Sequence, residues 1–162
     1  MSSRVRRPKK KSDKATGQVA TEFRLLRLIP GSGSDTIACE DVVVSFVDTK
    51  RPSYYALSYV WGDPKDTKPI MFNGSPFWIT QNLWRALRQL RADKTVSKTL
   101  IWIDSICINQ NDLQERNHQV SAMGQLYSSA AEVIVWLGEG SDQSYYFMDF
   151  LCRFEELGHT RK

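Results

Sequence analysis

Cysteine is scarce in this chain of 162 residues, and its three copies are badly placed for cross-linking. Cys39, Cys107 and Cys152 are widely spaced, and no two of them form a CxxC pair. An odd number with this spacing argues against a disulfide scaffold and against a zinc site, so we expect reduced thiols and no bound metal. Cys107 is interpreted as a small buried thiol; a nucleophilic pair would need the fold to bring His118 to it.

Long apolar runs are also missing. No stretch approaches the ~20 consecutive apolar residues that a membrane-spanning helix needs. The first 14 residues are basic and polar, and they lack the apolar centre of a secretory signal. Gly31-Ser32-Gly33 does not sit between a strand and a helix, so no phosphate-binding fingerprint is present. These absences predict a cytoplasmic protein without a membrane partner.

Positive charge is concentrated in the first 14 residues, and the rest of the chain carries no net positive charge. The whole chain has 22 basic and 18 acidic residues, a net charge of +4. Residues 1–14 contain seven basic side chains and one acidic one, so they contribute +6 and the remainder contributes −2. This charge distribution argues against nucleic acid as a partner for the body of the protein. Residues 1–20 are expected to be a disordered basic leader, with a nuclear localisation signal or an electrostatic tether as the alternatives.

What remains is a regular alternation of predicted elements. Residues 22–29 and 37–47 are predicted strands, and we interpret 21–52 as an N-terminal hairpin or edge addition to a sheet. Asn73-Gly74 between two apolar runs predicts a hairpin over 69–79, and Thr80 is a predicted helix N-cap. The further elements are a strand at 54–61, a helix from Thr80 to about Arg91, a strand at 100–103, a helix that starts near Asp112 with the apolar face Val120, Met123, Leu126, Tyr127 and Ala130, a strand at 133–137, and a helix at 145–156. Asp112 and Glu115 have the D-x-x-E spacing of a capping box, so both carboxylates are expected to accept from backbone N–H groups in the first turn of that helix.

Uninterrupted apolar strands separated by helices are typical of a parallel sheet covered on both faces, which makes this an α/β protein. Ligands of such sheets bind at the carboxyl ends of the strands. Polar and turn-forming residues follow all three predicted strands there. The candidate ligand-binding residues are Trp61, Asp63, Asp104, Asn109 and Gln110, with Glu139 after the third strand.

Most of these residues have a structural interpretation beside the functional one. Asp104 orients a substrate hydroxyl or accepts hydrogen bonds from backbone N–H groups of its own turn. Arg116 binds a phosphate or pairs with Asp112 one helical turn away. Asn109 and Gln110 contact a ligand or lock their own loop. Core packing is the favoured role of the tryptophans, and stacking on a base is the alternative; they are Trp61, Trp102 and Trp136.

Three longer motifs resemble a known family. Residues 55–63 read YALSYVWGD, residues 100–110 read LIWIDSICINQ, and residues 131–139 read AEVIVWLGE. In this order they resemble the motifs of fungal heterokaryon-incompatibility (HET) domains. Residues 53–162 are assigned to such a domain, which usually continues further, so the region is expected to be a truncated or short member.

The resemblance implies a fold and a function. HET domains are similar to TIR domains, so we expect a flavodoxin/TIR-like parallel-sheet sandwich with the N-terminal β addition. Family members act in fungal non-self recognition and trigger programmed cell death, which implies self-association or a partner signalling domain.

The resemblance also implies an alternative activity. Some TIR domains hydrolyse NAD with a glutamate, so an NAD nucleosidase, with NAD as substrate and no cofactor, is the second hypothesis. Glu139 is one catalytic candidate, although it could instead cap the next helix. Asp149 is the other, because it roughly matches the position of the TIR glutamate but has a shorter reach.

Overall fold

The computed structural model describes residues 22–33 and 35–140, apart from the side chain of His118. Seven strands are present in this part: β1 Glu22–Leu28, β2 Ala38–Ser45, β3 Tyr54–Tyr59, β4 Thr67–Phe72, β5 Ser75–Thr80, β6 Leu100–Trp102 and β7 Glu132–Trp136. The helices are α1 Gln81–Ala92, a 3₁₀ turn at Val96–Lys98, α2 Asp104–Cys107 and α3 Leu113–Ser128. The predicted leader, the predicted helix at 145–156, Asp149 and Cys152 lie outside the described residues.

All seven strands join one mixed sheet in the order β5-β4-β2-β1-β6-β3-β7. Strands β6, β3 and β7 are parallel, as predicted from their apolar sequences. The N-terminal hairpin is confirmed, because β1 and β2 pair antiparallel from Glu22 to Leu28. Its predicted place at the edge is wrong, since β1 also pairs antiparallel with β6 and lies at the centre. The reason is visible in β1, where adjacent Leu25 and Leu26 are both fully buried and need cover on both faces.

Local signals explain the β4–β5 hairpin and the start of α1. Asn73 and Gly74 have φ of 50° and 74°, the left-handed pair that a tight two-residue turn requires. The hydroxyl of Thr80 accepts a hydrogen bond from the backbone N–H of Leu83, so the predicted N-cap is confirmed.

Helices cover the two faces of the parallel strands. The Tyr54 hydroxyl donates to the carbonyl of Leu126 in α3. On the neighbouring strand Trp136, aligned with Tyr59, donates through Nε1 to Asn82 in α1. Side chains alternate along a strand, so Tyr54 and Tyr59 point to opposite faces. The two helices therefore lie on opposite sides of the sheet, which confirms the predicted cover.

The buried face of α3 is rotated from the prediction. Leu126 is fully buried, but Val120 is 54% exposed, so its place in the apolar face was predicted wrongly. Gln119 is buried instead, and its Nε2 donates to the backbone carbonyl of Glu22 at the start of β1. A polar side chain tolerates burial when such a partner is available.

Membrane-spanning helices and metal-binding groups are both absent from the described residues. None of the described helices is both long and apolar enough to cross a membrane. Within residues 22–33 and 35–140 no three His, Cys, Asp or Glu side chains gather into a metal-binding group. The thiols of Cys39 and Cys107 are buried, which agrees with the structural interpretation of Cys107.

Candidate functional site

Asp104 lies at the carboxyl end of β6, beside the end of β3. Its Oδ1 accepts a hydrogen bond of 2.6 Å from the backbone N–H of Ser105. Its Oδ2 accepts a hydrogen bond of 2.9 Å from Nε1 of Trp61, in the loop that follows β3. The interpretation of Asp104 as a turn-stabilising carboxylate is thus confirmed, and the bond to Trp61 adds a link between the two strand ends.

Tyr59 lies in the same cluster of strand-end residues, although sequence reasoning did not single it out. Its hydroxyl donates to Oγ of Ser105 over 2.6 Å. Burial raises the pKa of Tyr59 far above its usual range, and the nearby negative charge of Asp104 raises it further. Tyr59 therefore remains a neutral hydrogen-bond donor at physiological pH. Its position as the last residue of β3, directly before the strand-end loop, was the available signal.

Asn109 and Gln110 hold the loop after α2. Nε2 of Gln110 donates to the carbonyl of Asp104 over 3.3 Å, and Oδ1 of Asn109 accepts from the backbone N–H of Asn111. These contacts match the loop-locking interpretation, and the ligand-binding one stays a prediction.

Arg24 ties this loop to the centre of the sheet. Its Nε donates to the carbonyl of Cys107 over 2.8 Å, and its Nη2 forms an ion pair with Glu115. Oε1 of Glu115 also accepts from the backbone N–H of Asn109. Sequence reasoning missed Arg24, because it is 91 residues away from Glu115.

The start of α3 differs from the prediction in two respects. The carboxylate of Asp112 accepts from the backbone N–H groups of Gln114 and Glu115, so it is the N-cap. Glu115 was expected to accept from the same turn, but Arg24 and Asn109 engage it. Arg116 is exposed and, among the described residues, makes no ion pair with Asp112, so the predicted pairing is wrong. The cap already occupies the carboxylate of Asp112.

Glu139 follows β7 and lies in a second set of contacts. Its Oε2 is 3.5 Å from Nε of Arg85 in α1, and both side chains are well exposed. Asn82, one turn earlier in α1, donates to the carbonyl of Val60 and accepts from Trp136. The beginning of α1 therefore bridges the carboxyl ends of β3 and β7.

The remaining predicted residues separate into turn, core and surface. Asp63 is exposed, and its Oδ1 accepts from the backbone N–H of Lys65 in its own turn. Trp102 is fully buried against the ring of Tyr127, as core packing predicts. Trp61 is 50% exposed, so it presents a free aromatic surface beside Asp104. The structure thus brings Trp61, Asp104 and Gln110 together and places Glu139 at the next strand end.

Between Trp61 and Asp63, Gly62 has a φ of 78°, and an added Cβ would lie 3.3 Å from Cβ of Asn82. This close approach keeps the loop after β3 against α1. Residues 54–161, which contain these strand ends and loops, match the family model described as heterokaryon incompatibility protein (HET). The chain belongs to the heterokaryon incompatibility family.

A curated relative agrees with this assignment. This HET chain is 38% identical over 150 residues to heterokaryon incompatibility protein 6, OR allele, of Neurospora crassa. The alignment covers 85% of the chain but 22% of that protein, so the chain spans about a fifth of the length of this relative. No solved structure matches the chain.

Proposed function

We propose that this HET chain acts in fungal heterokaryon incompatibility, where it triggers programmed cell death in the cytoplasm through self-association after non-self recognition. The observation that carries the proposal is the family match over residues 54–161, supported by the name of the Neurospora relative. The residues at the ends of β3 and β6 form a strand-end cluster that lies within the matched region; they are Tyr59, Trp61, Asp104, Ser105 and Gln110. It supplies a pre-arranged polar surface for the ligand or partner that switches the domain on.

The half-exposed ring of Trp61 is the feature best suited to such contact. Its indole N–H is held by Asp104, which is in turn fixed by the backbone N–H of Ser105. An aromatic side chain held in one orientation loses little conformational entropy on binding, so it makes an effective contact residue.

The test is killing after induced expression in a fungal host. Wild type should reduce colony growth and increase staining by a vital dye, and Trp61→Ala should reduce killing at least tenfold at equal protein level. Trp78→Ala is the matched control, because Trp78 is 49% exposed on β5, at the opposite edge of the described sheet. Full killing by Trp61→Ala, or harmless wild-type protein, would contradict the proposal.

Self-association is measured separately by sedimentation of the purified chain. We expect the mean mass to rise with concentration and the killing variants to retain this rise. A chain that kills while remaining monomeric at every concentration would remove self-association from the mechanism.

NAD hydrolysis is the second candidate, and the position of Glu139 favours it. Glu139 is an accessible carboxylate at the carboxyl end of β7, beside β3 in the parallel part of the sheet, which supports a TIR-like core. It would stabilise positive charge on the ribose as the bond to nicotinamide breaks. Water then adds to the ribose carbon, which releases nicotinamide, ADP-ribose and a proton.

Nicotinamide release by the purified chain distinguishes the two candidates. Glu139→Gln should abolish release, whereas Glu132→Gln, an exposed glutamate at the other end of β7, should leave it unchanged. Asp149→Asn tests the rival carboxylate, which lies outside the described residues. Absence of release from wild type under conditions that promote self-association would eliminate the enzymatic candidate.

A further inference from the structure

One face of β7 is apolar and open. Val133 is 47% exposed and Val135 is 61% exposed, and Leu137, 80% exposed, follows with the same spacing. β7 is the last strand of the described sheet. On its other face Ile134 and Trp136 are half-buried, and Trp136 is bonded to α1 through Asn82. Among residues 22–33 and 35–140, a helix therefore covers only one face of β7.

The open face is the one that carries α3. Val133 is aligned with Ala56 of β3, which shares a face with Tyr54. α3 is held to β3 by the Tyr54 hydroxyl and to β6 by the ring contact of Tyr127 with Trp102. A helix about 10 Å wide covers two strands about 4.8 Å apart, so the third strand, β7, lies beyond its reach.

The sequence that follows β7 contains a segment of matching size and pattern. Residues 145–156 read YYFMDFLCRFEE, with apolar residues at the i, i+3, i+4 and i+7 positions that form a helical stripe; they are Phe147, Phe150, Leu151 and Phe154. A helix of this length spans ~18 Å, and a five-residue strand spans ~17 Å. The HET family match continues to residue 161, so this segment belongs to the same domain.

The connection is long enough for the chain to reverse. Residues 137–144 separate β7 from the segment and include Gly138, whose φ of 104° suits a turn. A tether of this length gives the segment an effective concentration in the millimolar range at the β7 face. A second copy of the chain would have to compete with that concentration.

We propose that residues 145–156 form a helix whose apolar stripe packs on Val133 and Val135, alongside α3, and so completes this face of the sheet. The inference is independent of the proposed function, because it concerns how the chain closes its own core. It has a consequence for one catalytic candidate. At 100° per residue, Asp149 lies 200° around the helix from Phe147, so the packed helix turns Asp149 towards solvent and away from the sheet.

A pair of engineered cysteines tests the contact. Val135→Cys and Phe150→Cys are combined in a Cys152→Ser background, in which the buried Cys39 and Cys107 are retained. Mild oxidation should give an intrachain disulfide in most molecules, identified by mass spectrometry. The control pair joins Phe150→Cys with Val43→Cys, a valine on β2 that is 48% exposed, and should remain reduced.

Two results would overturn the proposal. One is absence of the intrachain bond in the Val135→Cys pair. The other is covalent dimerisation of the single Val135→Cys variant, which would show that a second copy occupies the face.

A second measurement avoids any dependence on engineered thiols. Phe150→Ala should lower the melting temperature by several degrees, and Asp149→Ala should leave it unchanged. Equal melting temperatures for the two variants would overturn the packing. Neither readout requires killing or NAD hydrolysis, so failure of the proposed function would leave these results interpretable.

Discussion

Hydrogen bonds of single side chains hold the strand ends together. One carboxylate oxygen of Asp104 accepts from the backbone N–H of the adjacent Ser105. Its second bond, to Trp61, joins residues 43 positions apart and had no local signal. The same holds for Arg24 and Glu115, since a pattern of charges along a chain does not specify which distant charges meet.

Substitution of Arg24 measures how much its contacts between β1 and the loop after α2 stabilise the fold. Arg24→Met retains the apolar stem but leaves the Cys107 carbonyl and the Glu115 carboxylate without this donor. We expect the free energy of unfolding to fall by about 1–3 kcal/mol, measured by urea denaturation. Arg27→Met changes an exposed arginine of the same strand and should cost less than about 0.5 kcal/mol. Equal losses would show that the tie contributes nothing.

The buried thiol of Cys39 makes stability depend on alkaline pH. Burial raises its pKa from 9.0 to about 12. Between these values the unfolded chain loses the proton that the folded chain keeps. The contribution of this thiol to the unfolding free energy is therefore complete below pH 9 and is lost as pH rises towards 12. The unfolding free energy should fall with a slope of up to ~1.4 kcal/mol per pH unit, and Cys39→Ala should reduce that slope. If Cys39→Ala had the same slope as the wild type in urea titrations from pH 8 to 11, the pH dependence would not come from Cys39.

Elements with strong local signals were the easiest to predict. The Asn73-Gly74 turn and the Thr80 cap each depend on a few adjacent residues, so sequence located them well. The face of α3 was harder, because burial of Gln119 depends on a carbonyl of β1 almost a hundred residues earlier. Periodicity therefore predicted the helix but not its rotation.

Substitution of Gly74 tests how much the left-handed backbone of the β4–β5 turn costs a residue other than glycine. Its φ is 74°, and an added Cβ would meet nothing within 4 Å, so substitution changes backbone strain without a clash. Gly74→Ala should reduce the unfolding free energy by about 1–2 kcal/mol. Gly33→Ala also meets no atom within 4 Å, and Gly33 has no such φ, so its effect should be near zero. Thermal unfolding of the two variants compares them, and a similar shift in both would argue against strain as the cause.

The whole molecule depends on pairings that no local pattern specifies. The parallel set β6-β3-β7 follows from apolar strands alternating with helices. The central position of β1 does not, because its pairing with β6 joins residues about 75 positions apart in the sequence. The HET match begins at residue 54, yet β1 and β2 form the middle of the sheet that the matched region completes.

Leu26 measures how much the sheet depends on β1. It is fully buried and aligned with Asp41 of β2 and Ile101 of β6. Leu26→Ala should cost about 2–5 kcal/mol of unfolding free energy because it leaves a cavity in the core on the face of the sheet to which Leu26 points. Val43→Ala, at a site that is 48% exposed on β2, should cost less than about 1 kcal/mol. Comparable values in chemical denaturation would mean that β1 is peripheral to stability.

The central place of β1 also has a consequence for biosynthesis. Its first partner, β2, leaves the ribosome directly after it, but its second partner, Ile101, is made about 70 residues later. At 5–20 residues per second that interval lasts ~4–15 s. Throughout it the nascent hairpin exposes one edge of the strand that will become the middle of the finished sheet. Translation speed over residues 29–101 therefore sets how long this edge is available to chaperones or to neighbouring nascent chains.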